Sequence, residues 1–577
     1  MSVSRDENTR MLTALVQLRG ALQAARLPLD VPGAADLRAA RLQMIDQLED
    51  YAIPRQMSVD APLLVVVGGS TGAGKSTLVN SLVGRRVTAS GVLRPTTRSP
   101  VLVHHPDDAH WFGQERLLPD LVRVTDGTDD PHRLQLVASD TVPEGIAILD
   151  APDVDSVEEH NRVLAAQLLA AADLWLFVTS AARYSDQVPW EHLKQAAGRA
   201  TAVAIVLDRT PADAVQTVAA HLARMLASRG LKDSPLFTVN EVPISEDGLL
   251  PPAEVADIRG WLTSLASDAD ARQAVVRQTL DGTVRTLTRR SHTVADAVEQ
   301  QLQAAGELRA DVDAAYEDAS ERLVTESADG TLLRGEVLAR WQDLVGTGEL
   351  LRSLDQRVGR LRDRVVNAVK GTPQAADLVA RAIEAGAESL VLDHAESAAE
   401  AAYTAWAASD AGRPLLAPNL ERASAEVRRR AEAEVRGWQQ EVVDLVRSEA
   451  SEKRAGATFL AYGAHGLGTA LTVLVLSRNA EPDSPVAAAA HPGRTLLEAV
   501  LDPETVTHLV DRAATSLDRR LAGLLVDDRR RFHAVLAGLD VPTDGAESLR
   551  AAARRVDDRR FEQARAGADA TVPDVTP

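Results

Sequence analysis

The chain has 577 residues, of which 45% are apolar, 25% charged and 3% aromatic, and it contains no cysteine. That length exceeds one compact domain, and the composition excludes wholesale disorder, a collagen-like repeat, a disulfide framework, a Cys zinc site and a thiol nucleophile. Lys plus Arg number 63 against 83 Asp plus Glu, a net charge of −20, so no domain-wide basic field exists to hold a nucleic-acid backbone and no nucleic-acid partner is expected. Residues Met1 to Arg10 are polar and charged without an apolar stretch. No cleaved secretion signal is expected there, and the expected location is cytoplasmic.

In chain order, Met11 to Leu27 carries Leu12, Leu15, Leu18 and Leu22 as a helical stripe, and Ala35 to Leu48 is similar. Residues 1–60 are too few to fold alone and are expected to pack on helices elsewhere, those of a stalk. From 61 to 261, short aliphatic runs alternate with helix-like segments: Leu63 to Val67, Val101 to His104, Ile146 to Leu149, Leu174 to Val178, Val203 to Leu207 and Leu236 to Val239. That rhythm predicts a mostly parallel α/β sheet. Of 27 prolines, 17 fall by Pro252 and the next is Pro373, so a long helical region begins where the strongest helix breaker disappears. Residues 262–454 are predicted as an all-α stalk or bundle, with breaks near Asp329, Gly346, Gly371 and Gly412. Within it, Glu421 to Arg454 is dense in both charge signs, the pattern of an amphipathic or coiled-coil-like helix with a solvated face. Helices resume over 496–565, and 566–577 is expected to be a disordered tail.

Residues Gly69, Ser70, Thr71, Gly72, Ala73, Gly74, Lys75, Ser76 and Thr77 follow the apolar run Leu64 to Val67 and contain the full G-x-x-x-x-G-K-S pattern. Backbone amides must turn inward around phosphate oxygens, and glycine permits that concavity. Lys75 is expected to reach the β and γ phosphates, Ser76 to ligate Mg²⁺, and the following helix to aim its positive end at the anion. The run Gly145 to Asp150 reads as a buried strand ending in an aspartate, either a metal-site carboxylate or a helix cap. It continues as Ala151-Pro152-Asp153-Val154-Asp155-Ser156. Between these lies Arg94-Pro95-Thr96-Thr97-Arg98-Ser99-Pro100, with the adjacent hydroxyls that a switch loop closing on metal and γ phosphate requires; a simple turn is the other reading.

The order G-x-x-x-x-G-K-S, P-T-T-R and D-x-P-D, flanked by helical segments, resembles the bacterial dynamin-like GTPases, particularly those of actinobacteria. The motifs carrying it span about residues 61–245. The resemblance implies a large GTPase with Mg²⁺ as cofactor and GTP as substrate. It further implies self-association through the nucleotide domain and a helical stalk used on membranes. By it, Lys75 and Ser76 bind phosphate and magnesium, Thr97 closes one switch as a metal-side catalytic residue, and Asp150 opens the other. Dynamins proper carry Gln then Ser where this chain has Thr71 and Gly72, so their arrangement for the attacking water does not transfer. Val154 stands where some small GTPases place a water-orienting Gln. In place of an N-K-x-D base-reading element, Asp208-Arg209-Thr210-Pro211 follows the strand 203–207. Asp208 and Arg209 are candidate nucleotide-binding residues, with a strand-end cap the other reading of Asp208.

Residues Ala455 to Ser477 are 23 positions without Asp, Glu, Lys or Arg, long enough at about 1.5 Å per residue to cross about 30 Å of hydrocarbon. A buried helix, a membrane-dipping tip and a span are all open readings of this part of 455–495, read as an uncharged helical hairpin. His104, His105 and His110 are weak metal candidates because neighbouring strand residues face opposite ways. Trp190 is most simply a packing anchor. No L-S-G-G-Q segment or basic groove supports a transporter ATPase or helicase motor. The expected function is a Mg²⁺-dependent GTPase whose cycle drives stalk-mediated self-assembly at the inner face of a membrane. The alternative is a soluble nucleotide-gated interaction protein.

Overall fold

The computed structural model describes residues 2–88, 99–114, 116–128, 130–156, 159–198, 201–345, 372–450 and 457–569. They form two compact units: residues 1–27, 33–299 and 542–577 belong to the first, residues 28–32 and 300–541 to the second.

The first unit is built on eight strands, β1 (Leu63–Gly69), β2 (Val101–His104), β3 (Val122–Val124), β4 (Arg133–Ala138), β5 (Ile146–Asp150), β6 (Leu174–Ser180), β7 (Ala202–Thr210) and β8 (Leu236–Asn240). They lie in the order β3-β4-β2-β5-β1-β6-β7-β8. Every neighbouring pair is parallel except β2 with β5. The central strands are buried from end to end, so they read as continuous aliphatic runs, and their side chains alternate between two helix-covered faces. Leu64, Val66, Leu149 and Phe177 pack with Leu164, Leu193 and Leu222 on one side. Leu63, Val65, Ile148 and Leu176 pack with Leu78, Leu82 and Leu262 on the other. Strands β3 and β4 were not expected from sequence: β3 has three residues with Val122 52% exposed, and β4 carries Arg133 and Gln135. β3 is an edge strand and β4, paired on both sides, is only partly covered, so neither needs the aliphatic run that marks the centre.

The first unit also contains a helical cluster. Helices α1 (Ser2–Ala24) and α2 (Ala34–Gln47) pack their Leu15, Leu18, Leu22 and Met44 with Leu280, Val284, Leu287 and Val298 of a 60-residue helix, Ala269–Ala328. Leu549, Ala553 and Val556 of helix Gly545–Asp569 complete it. The compact units therefore do not follow the sequential boundaries at 261/262 and 495/496. The division falls inside a continuous helix with no change of composition, and helices 503–538 and 545–569 belong to different units. A buried cluster ties the N-terminal helices to the sheet. Asp173, ahead of β6, accepts from Tyr51 Oη at 3.0 Å and Leu64 N at 2.9 Å and ion-pairs with Arg55 at 2.8 Å; the Asp173 and Arg55 side chains are each 1% exposed.

In the second unit, helices Glu336–Val345, Thr372–Ala408, Ala425–Glu449, Ala457–Leu476, Pro485–Glu498 and Pro503–Gly538 surround an aliphatic core. Its three buried indoles are satisfied by backbone carbonyls: Trp341 donates to Ala489 O at 2.7 Å, Trp406 to Leu308 O at 2.9 Å and Trp438 to Ala513 O at 2.8 Å. The uncharged run lies here. Gly463 takes φ 65° and ψ −179°, which interrupts helix 457–476. From Gly466 to Leu476 every residue is buried, with Val443 so close that a Cβ on Gly468 would lie 2.8 Å from its Cγ2. A helix apolar on all sides needs such an enclosure. Among the described residues no helix is long and apolar enough to cross a membrane.

Candidate functional site

Because β1 runs parallel to both β5 and β6, and β6 parallel to β7, the carboxyl ends of four strands meet at one end of the sheet: Val67 pairs with Asp150, Gly69 with Val178, and Ser180 with Asp208. Ligand-binding groups of parallel sheets gather at such an end. The chain leaves β1 through the loop 69–74 into helix Lys75–Val83. Two glycines there are sterically required. A Cβ on Gly69 (φ 150°) would sit 2.0 Å from Val178 O, and one on Gly74 (φ 101°) would sit 2.0 Å from Asp208 Oδ2.

Lys75 is 5% exposed. Its Nζ donates to Gly69 O and Ser70 O at 3.1 Å each and ion-pairs with Asp153. Thr71 donates to Asp155 Oδ1 through both its backbone N–H and its hydroxyl, at 2.6 Å each. Arg183 in turn donates to Asp155 Oδ2 at 3.0 Å.

Asp150 is fully buried. Burial pushes its carboxyl above the usual range, opposed by the Ser76 and Thr88 hydroxyls and the Lys75 charge. Thr88 Oγ1 donates to Asp150 Oδ2 at 2.7 Å, while Asp150 Oδ1 is buried without a hydrogen-bond partner. An unsatisfied carboxylate oxygen beside a serine hydroxyl is a donor set that fits a hard oxygen-seeking cation such as Mg²⁺. No cluster of three metal-ligating His, Cys, Asp or Glu side chains occurs among the described residues, so phosphate oxygens and waters would have to complete the coordination. His104, His105 and His110 do not converge: the His104 ring stacks on Phe112, and those of His105 and His110 contact Asp107 backbone atoms. Trp190 is buried and donates to Tyr184 O at 2.8 Å.

At the far end of the loop, Asp208 is 2% exposed and accepts from Arg209 N at 2.7 Å. Burial first, with Glu241 and Glu254 adding repulsion, pushes its carboxyl up to about 6. Arg209 is exposed, with φ 50°. Asn240, on β8, donates its backbone and side-chain N–H to Glu254 at 3.0 Å each. The structure thus brings together Gly69 to Thr77, Asp150, Asp208 and Arg209. Thr97, with its neighbour Thr96, lies outside the described residues. Sequence reasoning assigned no role to Thr88, Asp155 or Arg183. The 150–156 carboxylates were visible in the motif, but no spacing rule links Arg183 or Thr88 to it.

Residues 65–208 match the family model described as Dynamin family. This segment is a P-loop GTP hydrolase domain. Over 125 residues, 22% of this chain, the sequence is 30% identical to a probable transmembrane GTPase FZO-like, chloroplastic, of Arabidopsis thaliana; the match spans 12% of that relative's length. Two solved chains of an oligomerised bacterial dynamin pair, described as providing a mechanism for long-range sensing and tethering of membranes, are also similar. They cover 90% and 68% of this chain and 94% and 77% of their own, at 10% and 12% identity and TM-scores of 0.38 and 0.28.

Proposed function

We propose that the whole chain is a Mg²⁺-dependent, GTP-hydrolysing dynamin-like protein whose nucleotide cycle governs self-association through its helical regions. The observation that carries this is the buried Lys75 at the mouth of a glycine-enforced loop, beside the buried Asp150, inside the family match. In this reading the N–H groups of Ser70 to Ser76 cradle phosphate oxygens, and Lys75 Nζ places its charge on the transferring phosphoryl group. Ser76 and Asp150 hold the metal side, with Thr97 closing over it. Magnesium, when bound, neutralises developing charge on the phosphate oxygens. Asp208 braces the loop against β7, and Arg209 covers the base plane.

A second reading is supported by the enclosed helix 466–476: a soluble nucleotide-gated interaction protein with no membrane contact. GTP and ATP turnover measured in parallel, with magnesium or chelator and with or without anionic liposomes, tests both. GTP-selective, magnesium-dependent turnover stimulated in a liposome-bound fraction supports the first reading. Turnover without sedimentation on liposomes supports the second. Equal competition by ATP and GTP against a fluorescent guanine nucleotide would remove the guanine assignment, for which Pro211 provides no carboxylate.

A further inference from the structure

The donors that a phosphate-binding loop offers to phosphate hold carboxylates in this fold. Lys75 Nζ is paired with Asp153, whose side chain is 17% exposed. The Thr71 N–H and hydroxyl are both taken by Asp155 Oδ1, on a side chain 13% exposed. Backbone bonds hold the same segment across the loop, from Ala151 N to Val67 O at 3.2 Å and from Val154 N to Gly69 O at 3.4 Å. Asp155 Oδ2 is gripped from the other side by Arg183, which also lies 3.5 Å from Asp186. A carboxylate oxygen and a phosphate oxygen are interchangeable acceptors for these donors, and each donor hydrogen serves one strong charge-assisted bond at a time.

We propose that Asp153 and Asp155 are a built-in competitor for the nucleotide phosphates, so that nucleotide entry is an exchange of one pair of anions for another. The inference rests on reading the 69–76 loop as a phosphate site. Arg183 gives the exchange a defined end-point: once Thr71 turns to phosphate, the Asp155 carboxylate still has a cation, and the 151–156 segment is handed over to the 181–186 turn. Apparent affinity is then the intrinsic affinity multiplied by the fraction of molecules with the carboxylates displaced. A purely structural role for Asp153, neutralising a buried lysine, predicts the opposite sign, because removing its charge would loosen Lys75 and weaken nucleotide binding.

The test uses the full chain with a fluorescent GTP analogue in magnesium, comparing wild type, D153N, D155N, the double variant and K75A, each checked by its melting curve. Asn conserves shape at both positions and removes the charge. Each single variant should bind about tenfold more tightly, with faster association, and pyrophosphate alone should displace the analogue at lower concentration than in wild type. If wild type binds and both folded single variants bind equally or more weakly, the competitor idea is overturned while the phosphate site stands. If no variant binds nucleotide or pyrophosphate, or K75A binds as wild type does, the phosphate-site reading falls and the inference with it.

Discussion

The nucleotide edge of the first unit and the apolar helix of the second handle burial in opposite ways. At the carboxyl end of the sheet in the first, Lys75, Asp150 and Asp208 are all buried, and Asp150 keeps an oxygen without a partner. The second encloses Leu467, Leu471, Val475 and three tryptophans whose N–H groups each find a carbonyl. Buried charge without full compensation costs stability and persists where it performs chemistry, whereas a satisfied aliphatic core is the ordinary source of stability. The first unit should thus be sensitive to changes that alter charge at constant shape, and the second to changes that insert charge at all.

The strongest way to break this contrast is Leu471→Asp with Val475→Asp. Both positions are 0% exposed, and each buried carboxylate should cost about 3 kcal/mol or more. Loss of the cooperative unfolding transition in calorimetry is the expected outcome. A normally folded double variant that has merely lost liposome binding would show instead that this helix works in a bilayer. Lys75→Ala is next: turnover should drop by about 10²- to 10³-fold or more while the melting curve is kept, and wild-type turnover would contradict its role.

Asp50→Asn probes charge at constant shape away from the nucleotide edge. Asp50 lines a cleft of about 840 Å³ in the first unit with Asp46, Gln47, Asp120 and Arg290. Burial first, then Asp120, Asp46 and Glu49, pushes its carboxyl up to about 6, against a hydrogen bond from Gln167. Since its folded pKa is raised, its contribution to stability is present at low pH and lost as pH rises through about 6. Asn should therefore stabilise the protein by about 3 kcal/mol at pH 7.5 and by only a small fraction of that at pH 4. Denaturant melts at the two pH values measure this, and a gain independent of pH would refute the account. The smallest effect belongs to Arg478, which donates to Val475 O at 3.0 Å and to both oxygens of Asp518 at 2.7 and 2.9 Å. Arg478→Ala should lower the stability of the second unit by about 1 kcal/mol, and a larger loss would mean that this core depends on charge after all.

What could be read in the sequence follows from what fixes spacing. The loop 69–76 is legible because phosphate geometry dictates where Gly69, Gly74 and Lys75 stand, and Asp150 is legible as the end of an aliphatic strand. The central strands show as unbroken runs because both faces are covered; β3, a three-residue edge strand, and β4 beside it, which is only partly covered, do not, and β4 carries Arg133 and Gln135 at exposed and half-buried positions. Tyr51 and Asp173 meet across 122 positions, and no local periodicity encodes such a meeting. The division inside helix 269–328 is equally silent, because a helix keeps its period whichever partners its two halves find. The uncharged run 455–477 showed that its helix needed an apolar surrounding, but composition alone does not distinguish protein from lipid.

The cluster of Tyr51, Arg55 and Asp173 has a consequence for how this protein can change over generations. Replacing Asp173 alone leaves a guanidinium buried without its counter-ion, and replacing Arg55 alone strands the carboxylate; either step costs about 3 to 5 kcal/mol. Exchanging both for well-packed apolar residues can be nearly neutral. The intermediate is less fit than either end, so these two positions, 118 apart in the chain, should drift as a linked pair. Among relatives that retain the N-terminal helices, an aspartate at 173 should be accompanied by an arginine at 55, and loss of one by loss of the other.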